Sequence, residues 1–185
     1  VYNAYQMPSD DYYTSESIDD SMPLASTGRI PVNTIEGGIV YVQKLQNYLL
    51  NTPEGNWKNK LLLVADDANK PGGDPYIEIS HVQNSDSLFS KFNNLLDVNC
   101  IYGTEYEPFY GNGIPTLPGM TEDLILSFED GFAWMNYIGH GNETTLGDEL
   151  ILDMERDLAN ISSSEGKLPI WTVGSCDLGH YDGGN

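Results

Sequence analysis

Leu61-Leu62-Leu63-Val64-Ala65-Asp66-Asp67 is the stretch that decides the fold class. Five consecutive apolar residues are too few for a globular helix, and they lack the alternation of a half-exposed strand. They read as a strand covered on both faces, the kind found in parallel sheets. The two aspartates stop it. Upstream, Thr34 is placed to cap a helix over about 35–51, in which Ile39, Val42, Leu45 and Leu49 recur at helical spacing. Downstream, a Gly/Pro loop leads to a helix over about 76–96 that uses Val82, Leu88, Phe92 and Leu95. A second strand follows at Val98-Asn99-Cys100-Ile101-Tyr102, then a Gly/Pro-rich loop and a short helix near 121–130. Phe132-Ala133-Trp134-Met135-Asn136-Tyr137-Ile138 is the third strand and Leu168-Pro169-Ile170-Trp171-Thr172-Val173 the fourth. Between them Leu150, Ile151, Met154, Leu158 and Ile161 form a stripe that predicts a helix. Strands alternating with helices predict an α/β domain with a mainly parallel sheet.

With 185 residues the chain supports one sizeable core, so residues 1–185 are expected to form a single domain. Residues 1–33 are its irregular, acidic leading segment. The ratio of 28 acidic to 8 basic residues gives a formal charge of −20, which repels nucleic acid and anionic lipid and excludes both as expected partners. No run approaches the length of a membrane span. Two cysteines are too few for a disulfide framework, so each needs its own explanation. Cys100, between apolar neighbours in a strand, reads as core.

Ligands of open parallel sheets bind beyond the carboxyl ends of the strands. That rule selects Asp66 and Asp67 after the first strand, and Glu105 and Glu107 after the second. It also selects Gly139-His140-Gly141 after the third and Gly174-Ser175-Cys176-Asp177 after the fourth. His140 and Cys176 lie 36 residues apart on consecutive strands and meet if those strands are neighbours. Imidazole beside a thiol generates a thiolate nucleophile. Gly139 and Gly141 permit close approach of a substrate, and the N–H groups of Gly141 and Cys176 are suited to an oxyanion. Spacing alone leaves a second reading open, a hydrogen-bonded loop histidine and a packing cysteine. A dinucleotide loop is disfavoured because position 144 is threonine where a third glycine belongs. A zinc site from Cys176, His180, His140 and Asp177 lacks a second cysteine or a close histidine pair, so no metal is expected there. Clustered carboxylates at 9–20 and 148–157 suit a structural calcium ion, although no EF-hand pattern is present.

Met135-Asn136-Tyr137-Ile138-Gly139-His140-Gly141-Asn142-Glu143-Thr144 resembles the segment around the catalytic histidine of gingipain-type cysteine peptidases. Lys167 to Cys176 resembles the Leu-Pro strand that leads into their catalytic cysteine. With Gly28-Arg29-Ile30-Pro31-Val32 and Trp57, the resemblance covers most of residues 9–182. The Gly-Arg-Ile-Pro-Val stretch, the Val-Ala-Asp-Asp strand end and Cys-Asp followed by Tyr-Asp are most similar to PorU-type signal peptidases, the sortases of the type IX secretion system of Bacteroidetes.

The resemblance implies a caspase-like three-layer fold, with Cys176 as nucleophile and His140 as general base and acid. It puts the oxyanion donors on Gly141 and Cys176 and a third catalytic carboxylate on Asp66 or Asp67. Glu78, ahead of His81, is its candidate for the specificity pocket, with Gly139 and Ser175 against the substrate. The substrates it implies are polypeptides, cargo bearing C-terminal sorting signals, and other outer-membrane components of the secretion system are candidate partners. It requires no cofactor for the chemistry, and it places the protein at the bacterial surface, outer-membrane-associated or secreted. A secreted endopeptidase and an inactive acidic scaffold are the alternatives. Two departures from the family pattern stand out. The chain ends nine residues after Cys176, which predicts that the C-terminal part of the domain is missing, and Leu146-Gly147-Asp148 replaces a Trp-bearing turn.

Overall fold

The computed structural model describes residues 10, 13–16, 23–67, 75–111, 113, 115–161 and 166–180, with only the backbone at 75–78. The chain divides into two compact units, 1–46 with 180–185, and 47–179. In the first, Arg29 pairs with Asp10 through two guanidinium contacts. Helix α1 (Ile35–Asn51) opens there and runs on into the second unit. Thr34 caps it as expected, its Oγ1 accepting from the N–H of Gly37 at 3.0 Å. The apolar residues of α1 are nevertheless exposed, none of them buried.

The second unit holds a four-stranded parallel sheet: β1 (Lys60–Ala65), β2 (Asp97–Tyr102), β5 (Trp134–Ile138) and β8 (Ile170–Gly174), in spatial order β2-β1-β5-β8. Every residue of β1 from Leu61 to Ala65 is buried, which accounts for its unbroken apolar run. Strand alternation sends Leu62 and Val64 into one core with Met120, Leu124 and Phe128 of helix α3 (Pro118–Asp130). Leu61, Leu63 and Ala65 go to the opposite face, under Val82 and Leu88 of helix α2 (Pro75–Phe92). Helix, sheet and helix make the three layers.

Three expectations are corrected. Helix α2 ends at Phe92 instead of about 96, because Asn93, Leu95 and Leu96 turn back on Phe89 and Phe92 before the chain enters β2. The loop after β2 contains a small hairpin, β3 (Phe109–Tyr110) with β4 (Pro115–Thr116). The stripe from Leu150 to Ile161 is not one helix. Leu150 takes a left-handed φ of 52°, and β6 (Thr145–Leu146) pairs with β7 (Leu152–Asp153). Only the four-residue turn α4 (Met154–Asp157) is helical. Met154, Leu158 and Ile161 border a cavity of about 220 Å³, lined also by Leu152, Trp171 and Leu178, while Ile151 is buried in the core. Only Ile151 of the stripe is buried, and Met154 and Leu158 stay exposed, so helical spacing here marks neither a helix nor a covered face.

Candidate active site

The sheet order sets the location. From β1 the chain first crosses to β2 on one side, then returns to β5 on the other. The loops therefore diverge at the carboxyl ends of β1 and β5, the topological switch point where such sheets bind ligands. Asp66 is the next rung after β1, its N–H donating to Ile138 O at 3.1 Å. The loop of His140 begins beside it.

Strand β8 is the direct neighbour of β5, with Ile138 paired to Gly174. His140 and Cys176 each lie two residues beyond that pair, at matching positions on strands that run about 4.8 Å apart. The two loops touch. Gly139 N–H donates to Gly174 O at 3.2 Å, and a Cβ on Gly141 would lie 2.5 Å from Ser175 Oγ and 2.7 Å from Thr145 O. A side chain at 141 would force them apart. Gly141 also forms an isolated bridge with Leu146. Its two bonds run from Asn142 N to Thr145 O and from Gly147 N to His140 O, so the bridge does not consume the N–H of Gly141 itself. The oxyanion expectation for that amide is compatible with this geometry.

Cys176 is an exposed free thiol, and Asp177 after it takes a φ of 52°, so the nucleophile candidate sits on a sharp turn. Cys100 packs against the core of the α2 face, and burial pushes its thiol up from the usual range. Cys100 thus packs as expected, and Cys176 is reachable from solvent.

Asp66 is 1% exposed. Its Oδ2 accepts the main-chain N–H of His140 at 2.8 Å and its Oδ1 that of Asp67 at 3.0 Å. Asp66 thus grips His140 by its backbone. Burial is the main cause that raises the Asp66 carboxyl to about 6, against the lowering effect of those two N–H donors. Asp67 and Glu149 are buried beside it, and one carboxylate oxygen from each of the three lies within 4.8 Å of the others. Burial, then the charges of Asp67 and Asp66, raises Glu149 to about 7. Both shifts favour the protonated form of Asp66 and Glu149, and oxygen donors so spaced could also hold a hard cation.

Of the carboxylates expected to suit calcium, Asp153 caps α4 and Asp157 pairs with Arg156, while Asp10 is taken by Arg29. Most of 9–20 lies outside the described residues, as does the side chain of Glu78. Glu105 and Glu107 are exposed, and the structure does not bring them to the carboxylate cluster.

Two residues here escaped the sequence reading. Tyr137 is fully buried, and its hydroxyl donates to His140 O at 2.6 Å. His81, on α2, meets the His140 ring edge-on at a centroid distance of 5.3 Å. A usable signal for the first was Gly139, whose Cβ would lie 2.5 Å from both Asp66 Cβ and the Tyr137 hydroxyl. A glycine that crowded marks a close approach.

The model of peptidase family C25 matches residues 1–185. No curated protein matches the chain. Among solved structures it is similar to the Arg specific cysteine proteinase gingipain R (RGPB), with a TM-score of 0.69 and 19% identity over 94% of this chain and 37% of that one. It is likewise similar to a complex of Porphyromonas gingivalis RgpB pro- and mature domains, with a TM-score of 0.70 and 19% identity over 95% of this chain and 38% of that one. At this identity the likeness shows the fold. The chain spans just over a third of the length of those chains.

Proposed function

Because the chain belongs to peptidase family C25, we propose that it carries the working dyad of a thiol peptidase, with Cys176 as nucleophile and His140 as proton carrier. The observation that supports this most is the register of β5 on β8, which brings the two loops to matching strand ends in contact. The Cys176 thiolate adds to the substrate carbonyl carbon while the N–H groups of Gly141 and Cys176 face the oxyanion. The carbon–nitrogen bond then breaks, and His140 gives its proton to the leaving amine. Water or a second amine attacks the thioester, His140 takes the proton of that nucleophile, and the thiol is released. Asp66 or Asp67 is the third carboxylate. Ser175 borders the substrate path, Gly139, expected there too, is buried behind it against Asp66 and Tyr137, and Glu78 is assigned to the specificity pocket.

The finer reading is a sortase of type IX secretion that removes C-terminal signals from secreted polypeptides at the bacterial surface, working beside outer-membrane partners. Its support is the sequence of Gly28–Val32, of Val64–Asp67 and of the segment after Cys176. Among the described residues no helix is long and apolar enough to cross a membrane. Thiol and imidazole supply the whole reaction, so no cofactor is needed, and any calcium is structural.

Iodoacetamide labelling of the full-length protein, with the labelled peptide identified, tests the dyad. Cys176 should label in preference to Cys100, and the reverse order would count against it. A Cys176→Ala variant that still processes every secreted substrate would replace this reading with an inactive scaffold.

A further inference from the structure

Tyr137 occupies the centre of the sheet, paired with Val64 and Val173, and its ring lies in the core on the α3 face. Phenylalanine would fill that volume. A fully buried hydroxyl costs free energy unless it is bonded, so the oxygen needs a use. It has one, since it donates to the carbonyl of His140 at 2.6 Å and lies 3.5 Å from Asp66 Oδ2. Gly147 N–H donates to the same carbonyl at 2.9 Å, while Asp66 takes the N–H of His140 at 2.8 Å. Both main-chain groups that flank the His140 Cα are therefore held from the buried side. This fixes its φ and ψ, and with them the direction in which the imidazole leaves the backbone. Gly139 is the clearance that allows it, because any Cβ there would overlap the hydroxyl and the aspartate together.

We infer that Tyr137 is a positioning residue for His140, its hydroxyl and the Asp66 carboxylate clamping the main chain on either side of the imidazole-bearing carbon. The inference rests on the Cys176–His140 reading. It assigns the oxygen of Tyr137 a task in catalysis and gives Asp66 a hold on the backbone. A base must be held within about half an ångström of its working place, and small misplacements cost on the order of ten- to a hundredfold in rate.

The test is the pH profile of Cys176 alkylation by iodoacetamide in the full-length protein, with the modified peptide identified so that Cys100 is counted separately. Imidazole beside the thiol sustains alkylation below the pH at which an isolated thiol reacts. His140→Ala should lose that low-pH limb. Tyr137→Phe should lower it about tenfold, while the thermal midpoint moves by only a few degrees. Should Tyr137→Phe unfold, Asp66→Ala removes the other jaw of the clamp. That variant relieves the carboxylate crowding, and it should lower the limb in the same way.

A wild-type profile in Tyr137→Phe, or in Asp66→Ala, while His140→Ala has lost the limb, would overturn the clamp and leave the dyad standing. A wild-type profile in His140→Ala itself would overturn the dyad and the clamp with it.

Discussion

The two loops that meet at the sheet edge are built in opposite ways. That of His140 is locked: its main chain is held by Asp66, Tyr137 and Gly147, all buried, and two glycines make room for the grip. That of Cys176 is open: the thiol is exposed, Asp177 is exposed at a left-handed φ, and β8 beneath it is exposed along most of its length. The difference suits the roles proposed for the two residues. A proton carrier works only in one orientation and gains from rigidity, whereas a nucleophile must be reachable by a chain arriving from solvent.

The contrast can be broken most severely at Gly139. Gly139→Ala puts a methyl 2.5 Å from Asp66 Cβ; it should cost about 1–3 kcal/mol in denaturant unfolding and lower turnover about a hundredfold. A smaller effect probes the dry side of the locked loop. Glu149 is raised to about 7, so between its ordinary value and that pH the folded chain keeps a proton that the unfolded chain has lost. Folding takes up protons in this window. The contribution of Glu149 to stability therefore falls as pH rises from about 4.5 to 7 and levels off above. Glu149→Gln should flatten that slope and stabilise the protein at pH 8 by on the order of 1–2 kcal/mol, read as the thermal midpoint against pH.

On the open side, Asp177→Gly should do the reverse of Gly139→Ala. It relieves a left-handed residue and raises stability by up to ~1 kcal/mol, with turnover within about twofold. The smallest effect is expected at Thr172. Its Oγ1 accepts the Trp134 indole N–H at 2.8 Å on the exposed face, and Thr172→Val should cost about 0.5 kcal/mol by the same unfolding measurement. A large loss there would mean that β8 contributes more to the fold than its exposure suggests.

The centre of the sheet was readable because β1 carries its burial in its composition. Leu61 to Ala65 could be nothing but a doubly covered strand, and the glycines around His140 and before Cys176 announced the loops at its edge. What the sequence did not carry was long-range closure. The stripe from Leu150 to Ile161 has helical spacing, but the left-handed turn at Leu150 and the pairing of Thr145 with Asp153 spend it on a hairpin. Spacing alone fixes neither the backbone nor the burial, as the exposed Met154 and Leu158 show. Tyr137 looked like a core aromatic because its ring is one, and only the third dimension reveals where its oxygen ends. Glu149 belonged by sequence to an acidic stretch around α4. The turn at Gly147 instead brings it under the end of β1, while its neighbours Asp153 and Asp157 serve α4 and Arg156.

The two margins of the sheet differ in what they show to solvent. At the β2 margin Asp97 and Asn99 are polar, but at the β8 margin Ile170 and Trp171 accompany a row of backbone groups that, among the described residues, pairs with β5 on one side only. Such a margin is a template for another chain. The formal charge of −20 keeps copies of residues 1–185 apart, and salt above ~0.1 M shortens the reach of that repulsion to about 10 Å or less. Where screening removes that repulsion, the edge of β8 is the expected place for association to begin.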